Sequence, residues 1–335
     1  MKRIGDLYGK IISFQNLYDS AHLAAKGKKK RADVQSFLYN LENELVILQG
    51  ELAERIYSPR PYTIFTIADP KERTIAAAKF RDRVVHHAVC RVIEPWLERS
   101  FIYDTYACRK GKGTHKALLR SQHFLRQYPY YLKCDIQKFF ESIPHSSLQE
   151  CLLRKFKDKE LLWLLDVIIQ TAPGSIPSQG IPIGNLTSQY FANLFLDGLD
   201  HLVKDRLGIL GYLRYMDDFV LFAKTKEELY NARFEMEDFL AQKGLVLKEK
   251  QTYLNASYQG LPFLGFRVFP GSFRIKRESW KRFKKKFKAK EKAFAKNQIS
   301  YTSFTNSIAS LIGHLSHGNT KNLRNQFIEK YSMDF

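Results

Sequence analysis

The chain of 335 residues is 44% hydrophobic and 14% aromatic, which is enough apolar material for a packed core and for two or three subdomains. Lys and Arg outnumber Asp and Glu by 54 to 34, so the protein carries a formal charge of +20 and attracts polyanions, nucleic acid first. The sequence has no apolar stretch of the ~20 residues that span a membrane, no apolar leader and no C-x-x-C pair. We therefore expect a soluble protein in a reducing cytoplasm, with four reduced core thiols.

Apolar residues at helical spacing predict that the first part of the chain is mainly α-helical. Helices are expected over residues 7–25, 32–56 and 83–99. Between the second and third of them, β-rich runs at 62–67 and 73–75 flank a turn that contains Pro70, and this pattern predicts a β-hairpin.

The middle of the chain alternates strand and helix patterns. β-Strands are expected over residues 128–135, 211–215, 219–223, 245–247 and 261–268. Helices are expected over residues 146–170, 184–204 and 226–243. The order β, α, β, β, α, β predicts an α+β sheet with helices on one face. Beyond Pro270 the pattern becomes wholly helical, so the main boundary is placed there.

Three carboxylates are candidates for metal binding. Asp135 ends a predicted strand, and Asp217 and Asp218 occupy the turn of a predicted hairpin. Carboxylates gathered at adjacent strand ends repel one another unless divalent cations neutralise them. Two Mg²⁺ ions held in this way activate an attacking 3'-hydroxyl and stabilise phosphoryl transfer. Taken singly, Asp135 also suits a helix cap and Asp-Asp suits an ordinary turn, but the combination indicates nucleotidyl transfer.

Tyr215-Met-Asp-Asp between two strand runs, about eighty residues after Asp135, resembles motifs C and A of reverse transcriptases. The blocks at 80–88 and 106–115 resemble further motifs of that family. The resemblance implies a right-hand polymerase of the α+β class with fingers, a ferredoxin-like palm and a short helical thumb. The implied divisions are residues 1–127 for the N-terminal helical region and fingers, 128–270 for the palm and 271–335 for the thumb.

The same resemblance implies roles for individual residues. Asp135, Asp217 and Asp218 become the catalytic acids, and with Ile136 they become the ligands of two Mg²⁺ ions, for which Mn²⁺ is a possible substitute. Nucleotide binding is expected of Arg73, Lys138, Phe139, Phe140, Ile183 and Gly184. Phe140 matches the steric gate that favours deoxynucleotides, while one of the two neighbouring Phe rings fills the core. An Arg such as Arg73 suits phosphate, although it also suits an exposed turn.

Template and primer contacts are expected of a third group of residues. They are Arg109, Lys110, Lys112, Ser188, Gln189, Phe263, Leu264, Gly265, Lys284 and Lys285. Residues 274–296 carry twelve Lys or Arg against two Glu, which resembles a thumb helix that follows a duplex, although a solvated basic helix has the same pattern. The run 261–267 resembles a primer grip but also an ordinary core hairpin. Gln251 stands where the family often has Lys, which leaves open whether Lys250 donates a proton.

The segment from Ile183-Gly184 to Ser188-Gln189 departs from the Gln-Gly and Ser-Pro of most reverse transcriptases. This pattern resembles the reverse transcriptases of diversity-generating retroelements, as do Thr105-Tyr-Ala-Cys-Arg and Arg214-Tyr-Met-Asp-Asp. The resemblance implies error-prone copying of a template-repeat RNA, with misincorporation opposite template adenines. An apolar Ile183 in place of an amide removes a polar check on the incoming nucleotide, so it is the candidate for low fidelity.

Partners follow from the resemblance as well: template RNA, a cDNA or primer strand, deoxynucleoside triphosphates, a structured RNA and a small, basic, pentameric accessory protein. Three rivals stay open. The first is another bacterial reverse transcriptase of the group II intron or phage-defence type. The second is a non-catalytic RNA-binding scaffold on the same fold, and the third is a palm-fold nucleotide cyclase.

Overall fold

Short helices build the N-terminal layer of the computed structural model, which describes residues 3–68, 72–173 and 176–332. Four of them precede the first strand: α1 (Tyr8–Ile12), α2 (Phe14–Ala25), α3 (Ala32–Tyr39) and α4 (Leu41–Ala53). They share a core with α5 (Phe80–Glu98) that includes Leu17, Leu45 and Val84. The predicted helical region is confirmed, with a break at Ser13, whose hydroxyl accepts a hydrogen bond from the Asn16 N–H and caps α2.

A two-stranded antiparallel hairpin follows α4. Its strands are β1 (Thr63–Ala68) and β2 (Glu72–Ala77). The predicted hairpin is confirmed, while the turn residues 69–71, with the proline, lie outside the described residues. Every residue of β1 is exposed, so this hairpin projects from the core. A backbone hydrogen bond connects the hairpin to a later part of the chain: the Ala76 N–H donates to the Ile183 carbonyl at 3.3 Å.

A four-stranded antiparallel sheet lies at the centre of the molecule. In chain order its strands are β3 (Tyr130–Asp135), β4 (Gly211–Tyr215), β5 (Asp218–Ala223) and β6 (Tyr253–Ala256). The helices around it are α6 (Thr114–Gln127), α7 (Phe139–Ser142), α8 (His145–Lys155), α9 (Lys159–Gln170), α10 (Leu186–Phe195), α11 (Asp197–His201) and α12 (Lys226–Gln242). The strand order β4-β5-β3-β6 is the ferredoxin-like arrangement that the sequence predicts.

The fourth strand of this sheet is not where the sequence predicts it. Residues 245–247 do not form a strand, because Leu245 and Leu247 are core side chains of a connection that makes a single bridge, from Leu247 to Ile136. The fourth strand is β6, which pairs with β3. All four residues of β6 are half-buried, so its sequence lacks the alternation that marks a strand with one buried face.

Both faces of the sheet are covered, which corrects the prediction that helices lie on one face only. Leu132 and Cys134 of β3 face the main core. Tyr131 and Phe222 face a second cluster, in which Phe124 of α6 lies 5.3 Å from Phe222 between ring centroids. Consecutive apolar residues in β3 are typical of a strand that is buried on both sides.

A small sheet and three helices follow the central sheet. They are β7 (Leu261–Phe263), β8 (Phe266–Val268), β9 (Phe273–Ile275), α13 (Arg277–Ala295), α14 (Tyr301–Ser316) and α15 (Lys321–Ser332). The expectation of a wholly helical segment after Pro270 is wrong, because β9 pairs with β8. One face of α13 is aromatic: Trp280 stacks on Phe283, and both rings contact Phe327.

The four cysteines are free. Cys90 and Cys134 are buried as expected, whereas Cys108 is exposed and Cys151 is half-buried, so the prediction of four core thiols is wrong for these two. Within the described ranges, no helix is both long enough and apolar enough to cross a membrane.

Candidate active site

The turn between β4 and β5 carries two of the three acids. Tyr215 pairs with Asp218, so Met216 and Asp217 form a two-residue hairpin turn. Met216 has a φ of +60°, a conformation that favours glycine at the first position of such a turn. A non-glycine residue there costs about 1 kcal/mol or more, so the surrounding structure has to hold the turn in place.

The third acid lies directly opposite. Asp135 ends β3 and faces Asp218 across the β3–β5 ladder. The structure therefore brings Asp135, Asp217 and Asp218 to one edge of the sheet, as the sequence predicts. Ile136 follows with its side chain buried, and its backbone lies beside the acids in the bridge to Leu247.

The carboxylates perturb one another electrostatically. Burial raises the pKa of Asp217, and the nearby Asp135 raises it further, while Arg73 and Lys133 act in the opposite direction. Burial raises the pKa of Asp218 to about 6 although Lys133 opposes the shift. The Lys133 Nζ lies 2.5 Å from the Asp218 Oδ1 and supplies the nearest counter-charge. The site thus favours additional positive charge.

Carboxylate oxygens are the donors that Mg²⁺ prefers, so the chemistry of this donor set fits a divalent cation. In the described part of the chain, no three His, Cys, Asp or Glu side chains are already assembled in the geometry of a metal site. One oxygen of Asp218 is instead engaged by Lys133. The site therefore fits a divalent cation in the type of its donor atoms and in their combined negative charge.

The predicted nucleotide-binding residues Arg73, Lys138, Phe139 and Phe140 lie on β2 and at the start of α7. Arg73 is exposed on β2 and lies close enough to Asp217 to lower the pKa of that carboxyl. Lys138 is exposed and has a φ of +45° at the start of α7. Phe139 is buried in the core, and Phe140 is half-buried with its ring centroid 5.5 Å from that of Phe139. One of the two rings fills the core as expected, which leaves Phe140 as the gate candidate.

A cavity of about 380 Å³ separates the hairpin from the loop that precedes α10. The residues that line it include Ile64, Thr74, Ala76, Glu141, Ile181 and Ile183. Ile183 is half-buried, and Gly184 is exposed with a φ of +122°. A Cβ at Gly184 would lie 3.2 Å from the Ile75 Cγ2, so both conformation and space favour glycine there. Thus Ile183 and Gly184 lie at the contact between the loop and the hairpin.

The surroundings of Arg109 contradict the prediction that its side chain contacts template phosphates. Its side chain is 7% exposed, and its guanidinium donates to the Glu98 carboxylate at 2.9 Å and to the carbonyls of Ile102 and Thr105 at 2.7 and 3.0 Å. These acceptors within the protein occupy the N–H donors of the guanidinium. Arg109 therefore stabilises the connection between α5 and α6. Lys110 is 88% exposed beside Glu94. The Lys112 Nζ donates to the Tyr103 carbonyl and lies over that ring at 3.3 Å.

Two further predictions are corrected by burial. The side chains of Ser188 and Phe263 are buried, so neither reaches a nucleic acid, and Phe263 follows the alternative of an ordinary core hairpin. Leu264 and Gly265 form the expected tight turn, with φ of +44° and +90°, as a type I′ turn requires. The remaining candidates are placed as follows: Gln189 is half-buried, and Lys250, Lys284 and Lys285 are exposed.

Sequence reasoning missed two basic residues near the acids. Lys133 lies two positions before Asp135 on β3, so strand periodicity places it on the same face of the sheet, and this signal was available. Arg214 is fully buried and donates to the Met216 carbonyl at 3.1 Å. A strand with an internal Arg between apolar residues signals a buried partner, but the partner's identity depends on the fold.

Residues 68–268 match the reverse transcriptase (RNA-dependent DNA polymerase) family. The match covers more than half of the chain, and the chain belongs to this family. The predicted enzyme class, an RNA-directed DNA polymerase, is confirmed at this level.

Three curated relatives show how the similarity extends. Protein YkfC of Escherichia coli strain K12 is 24% identical over 270 residues, covering 67% of this chain and 71% of that protein. The group II intron-encoded protein LtrA of Lactococcus lactis subsp. cremoris is 22% identical over 336 residues, covering 78% of this chain and 55% of LtrA. The retron Ec73 reverse transcriptase of Escherichia coli is 27% identical over 212 residues, covering 56% and 62%. The chain thus spans about half the length of LtrA.

Solved structures with the same fold include two telomerases. Apo telomerase from Candida tropicalis matches with a TM-score of 0.53 at 11% identity, covering 76% of this chain and 57% of that one. Telomerase from Candida albicans, solved with the TWJ fragment of telomeric RNA, matches with a TM-score of 0.51 at 12% identity, covering 66% and 46%. These similarities concern the fold, and they confirm the predicted right-hand polymerase class.

Proposed function

We propose that this chain is the reverse transcriptase of a diversity-generating retroelement, which copies a template-repeat RNA into DNA with errors concentrated opposite template adenines. The observation that carries this proposal is the position of Ile183. This apolar residue lines the cavity between the projecting hairpin and the loop before α10. In the motif that it resembles, most reverse transcriptases have Gln at this position. An apolar side chain there cannot hydrogen-bond a nucleotide, so a polar check on its geometry is lost.

Catalysis is assigned to the three acids at the sheet edge. Asp135, Asp217, Asp218 and the Ile136 carbonyl would hold two Mg²⁺ ions, with Mn²⁺ as a possible substitute. When bound, the ions lower the pKa of the primer 3'-hydroxyl and neutralise charge on the transferred phosphoryl group. The protein's own part is to gather the carboxylates and to keep them desolvated.

The incoming deoxynucleoside triphosphate is assigned to the space beside the acids. Arg73, exposed on β2, binds the triphosphate, and Lys138 adds positive charge at the start of α7. The half-buried ring of Phe140 excludes a ribose 2'-hydroxyl. Ile183 and Gly184 contact the base and sugar from the loop side.

Template RNA and primer are assigned to the exposed basic surface and the small sheet. Lys284 and Lys285 on α13, with Lys110, bind phosphates. The turn at Leu264-Gly265 holds the primer end. A basic pentameric accessory protein and a structured RNA are further partners that the retroelement assignment requires.

Ile183→Gln tests the retroelement assignment directly. Copying of an RNA template that contains all four bases, followed by sequencing of the products, should show substitutions opposite adenine falling several-fold relative to those opposite other bases. Ile181→Leu, a volume-conserving change in the same loop, serves as the control. An unchanged error spectrum in the Gln variant would remove Ile183 as the determinant.

A second candidate function is that of another bacterial reverse transcriptase, of group II intron or retron type. The sequence similarity of this chain to LtrA and to the retron Ec73 enzyme supports this second function as well as the first. Faithful copying of adenine by wild-type protein would select this second candidate.

A further inference from the structure

A buried ion pair lies behind the catalytic turn. Arg214 on β4 and Asp200 on α11 are both fully buried. The Arg214 Nε and Nη2 donate to the two carboxylate oxygens of Asp200 at 2.7 and 2.6 Å, which is the bidentate geometry of a strong charged pair. Asp200 also accepts hydrogen bonds from the Tyr212 hydroxyl at 2.7 Å and from the Thr105 hydroxyl at 3.0 Å. The carboxylate is therefore held from four directions.

The remaining donors of Arg214 contact the catalytic turn and helix α10. The Nη1 donates to the Met216 carbonyl at 3.1 Å and to the Asn193 Oδ1 at 3.2 Å, and the Nη2 also reaches the Asn193 carbonyl at 3.3 Å. Met216 immediately precedes Asp217 and is the residue with the left-handed backbone. One planar group thus joins a fully buried carboxylate to the residue of the catalytic turn that has the left-handed backbone.

This arrangement is not explained by stability alone. A buried ion pair is often no more stable than well-packed apolar residues of the same volume, because both charges lose their hydration. A left-handed conformation at a residue with a side chain persists only where the surroundings over-determine it. The contact from Arg214 to the Met216 carbonyl supplies such a determinant at the position where the catalytic geometry depends on it.

Three segments of the sequence meet at the Arg214–Asp200 pair. Thr105 belongs to the Thr-Tyr-Ala-Cys-Arg segment, Asn193 ends the loop-and-helix segment that begins near Ile183, and Arg214 opens Arg-Tyr-Met-Asp-Asp. The Asn193 Nδ2 donates to the Ala107 carbonyl at 2.9 Å, and the Arg214 N–H donates to the Asp104 carbonyl at 2.9 Å. The cluster therefore connects the chain before α6, helix α10 and the catalytic hairpin.

We propose that Arg214 is a positioning residue for polymerisation: anchored by Asp200, it fixes the Met216 carbonyl and thereby the direction in which Asp217 and Asp218 present their carboxylates. It acts on the chemical step and on metal affinity, and it does not touch the nucleotide. This inference rests on the proposed polymerase activity of the site.

Arg214→Lys compared with Tyr212→Phe tests the role. In Arg214→Lys a cation remains beside Asp200, but the Nη1 group that donates to the Met216 carbonyl is lost. In Tyr212→Phe one hydrogen bond to Asp200 is lost, and the contact of Nη1 with Met216 remains. We expect Tm to fall in both variants, and to fall further in Arg214→Lys, which loses more hydrogen bonds. In Arg214→Lys, kcat should fall by about tenfold or more while the KM for deoxynucleotide changes less than about twofold, and Tyr212→Phe should retain kcat within about twofold.

A second readout does not depend on activity. Mn²⁺ titration of the free protein, followed by electron paramagnetic resonance, should show roughly tenfold weaker binding in Arg214→Lys and unchanged binding in Tyr212→Phe. If Arg214→Lys does not fold, Asn193→Ala is used, because it removes one partner of the same Nη1 and keeps the ion pair. It should lower kcat by about threefold with an unchanged KM.

Losses of kcat in Arg214→Lys and Tyr212→Phe in step with their Tm values would show that the pair is merely structural. A rise in KM without loss of kcat would also overturn the positioning role. Inactivity of the wild-type protein would count against the proposed function instead, and the Mn²⁺ titration would then decide the role of Arg214 by itself.

Discussion

The ammonium group of Lys133 lies 2.5 Å from the Asp218 carboxylate, at the edge of the sheet where Asp135 faces Asp218. Lys133 is 9% exposed at its side chain and Asp218 23%, so the pair is shielded from water. Lys133 supplies the counter-charge that three clustered acids require, and a bound cation would supply the same charge. We therefore expect Lys133 and a bound metal ion to stabilise the same three carboxylates.

Lys133→Met should lower stability in EDTA by about 2 kcal/mol, because the mutation leaves the Asp218 carboxylate without its charged partner. Urea unfolding followed by circular dichroism measures the loss. In excess Mg²⁺ the deficit should shrink, because the variant site lacks the lysine charge and therefore binds the cation, which stabilises the folded state, more tightly than the wild-type site does. Lys110→Met on an exposed lysine is the matched control, and an equal deficit with and without Mg²⁺ would contradict the shared role.

Arg109→Ala should behave as a folding mutation. Removal of the guanidinium leaves Glu98 and two carbonyls without their donor, so we expect a loss of about 2–3 kcal/mol in the free energy of unfolding. The salt dependence of RNA binding should stay unchanged in the folded fraction. Lys110→Ala should do the reverse and reduce the salt slope without loss of stability. A reduced salt slope in Arg109→Ala would restore the phosphate-contact role.

Phe140→Ala and Phe139→Ala should separate selectivity from packing. Phe140 is half-buried and is the candidate steric gate, so truncation should raise ribonucleotide incorporation relative to deoxynucleotide by about tenfold or more with a modest fall in Tm. Phe139 is buried in the core, so its truncation should cost about 3–5 kcal/mol and leave sugar selectivity unchanged. Competition assays and urea unfolding give the two quantities. Unaltered sugar selectivity in Phe140→Ala would exclude the gate.

His86 should make stability depend on pH. It is buried in α5, its two ring nitrogens have no hydrogen-bond partner among the described residues, and burial lowers its pKa to about 3. An unfolded His has a pKa of about 6.5, so the unfolded chain binds the extra proton first and stability falls as pH drops below that value. At pH 5 the loss should be about 2 kcal/mol.

Urea unfolding at pH 7.5 and pH 5.0 checks this prediction. His86→Leu should reduce the difference in stability between the two pH values, whereas His123→Gln, on the exposed face of α6, should not. The same pH dependence in wild type and His86→Leu would contradict the assignment.

Much of the fold was predictable because strong local sequence patterns mark its helices and strands. The strands around Asp135 and Asp217 are long apolar runs, and the acids that end them marked the site. The strands β6 and β9 were not predictable, since one is half-buried throughout and the other runs almost directly into the basic helix α13. Arg109 and Phe263 were misassigned because a charge or a ring does not reveal its partners. Glu98 lies eleven residues before Arg109 and meets it only after the chain turns between α5 and α6.

The measurement that tests the central claim most directly is magnesium-dependent incorporation of deoxynucleotides on a primed RNA template, with Asp217→Asn as the control and with the products sequenced. The account predicts synthesis that Asp217→Asn abolishes and substitutions concentrated opposite template adenines. Synthesis that is faithful at adenine would contradict the retroelement assignment while keeping the polymerase. Synthesis undiminished in Asp217→Asn, or none from wild type even with a basic accessory protein and structured RNA supplied, would contradict the catalytic assignment itself.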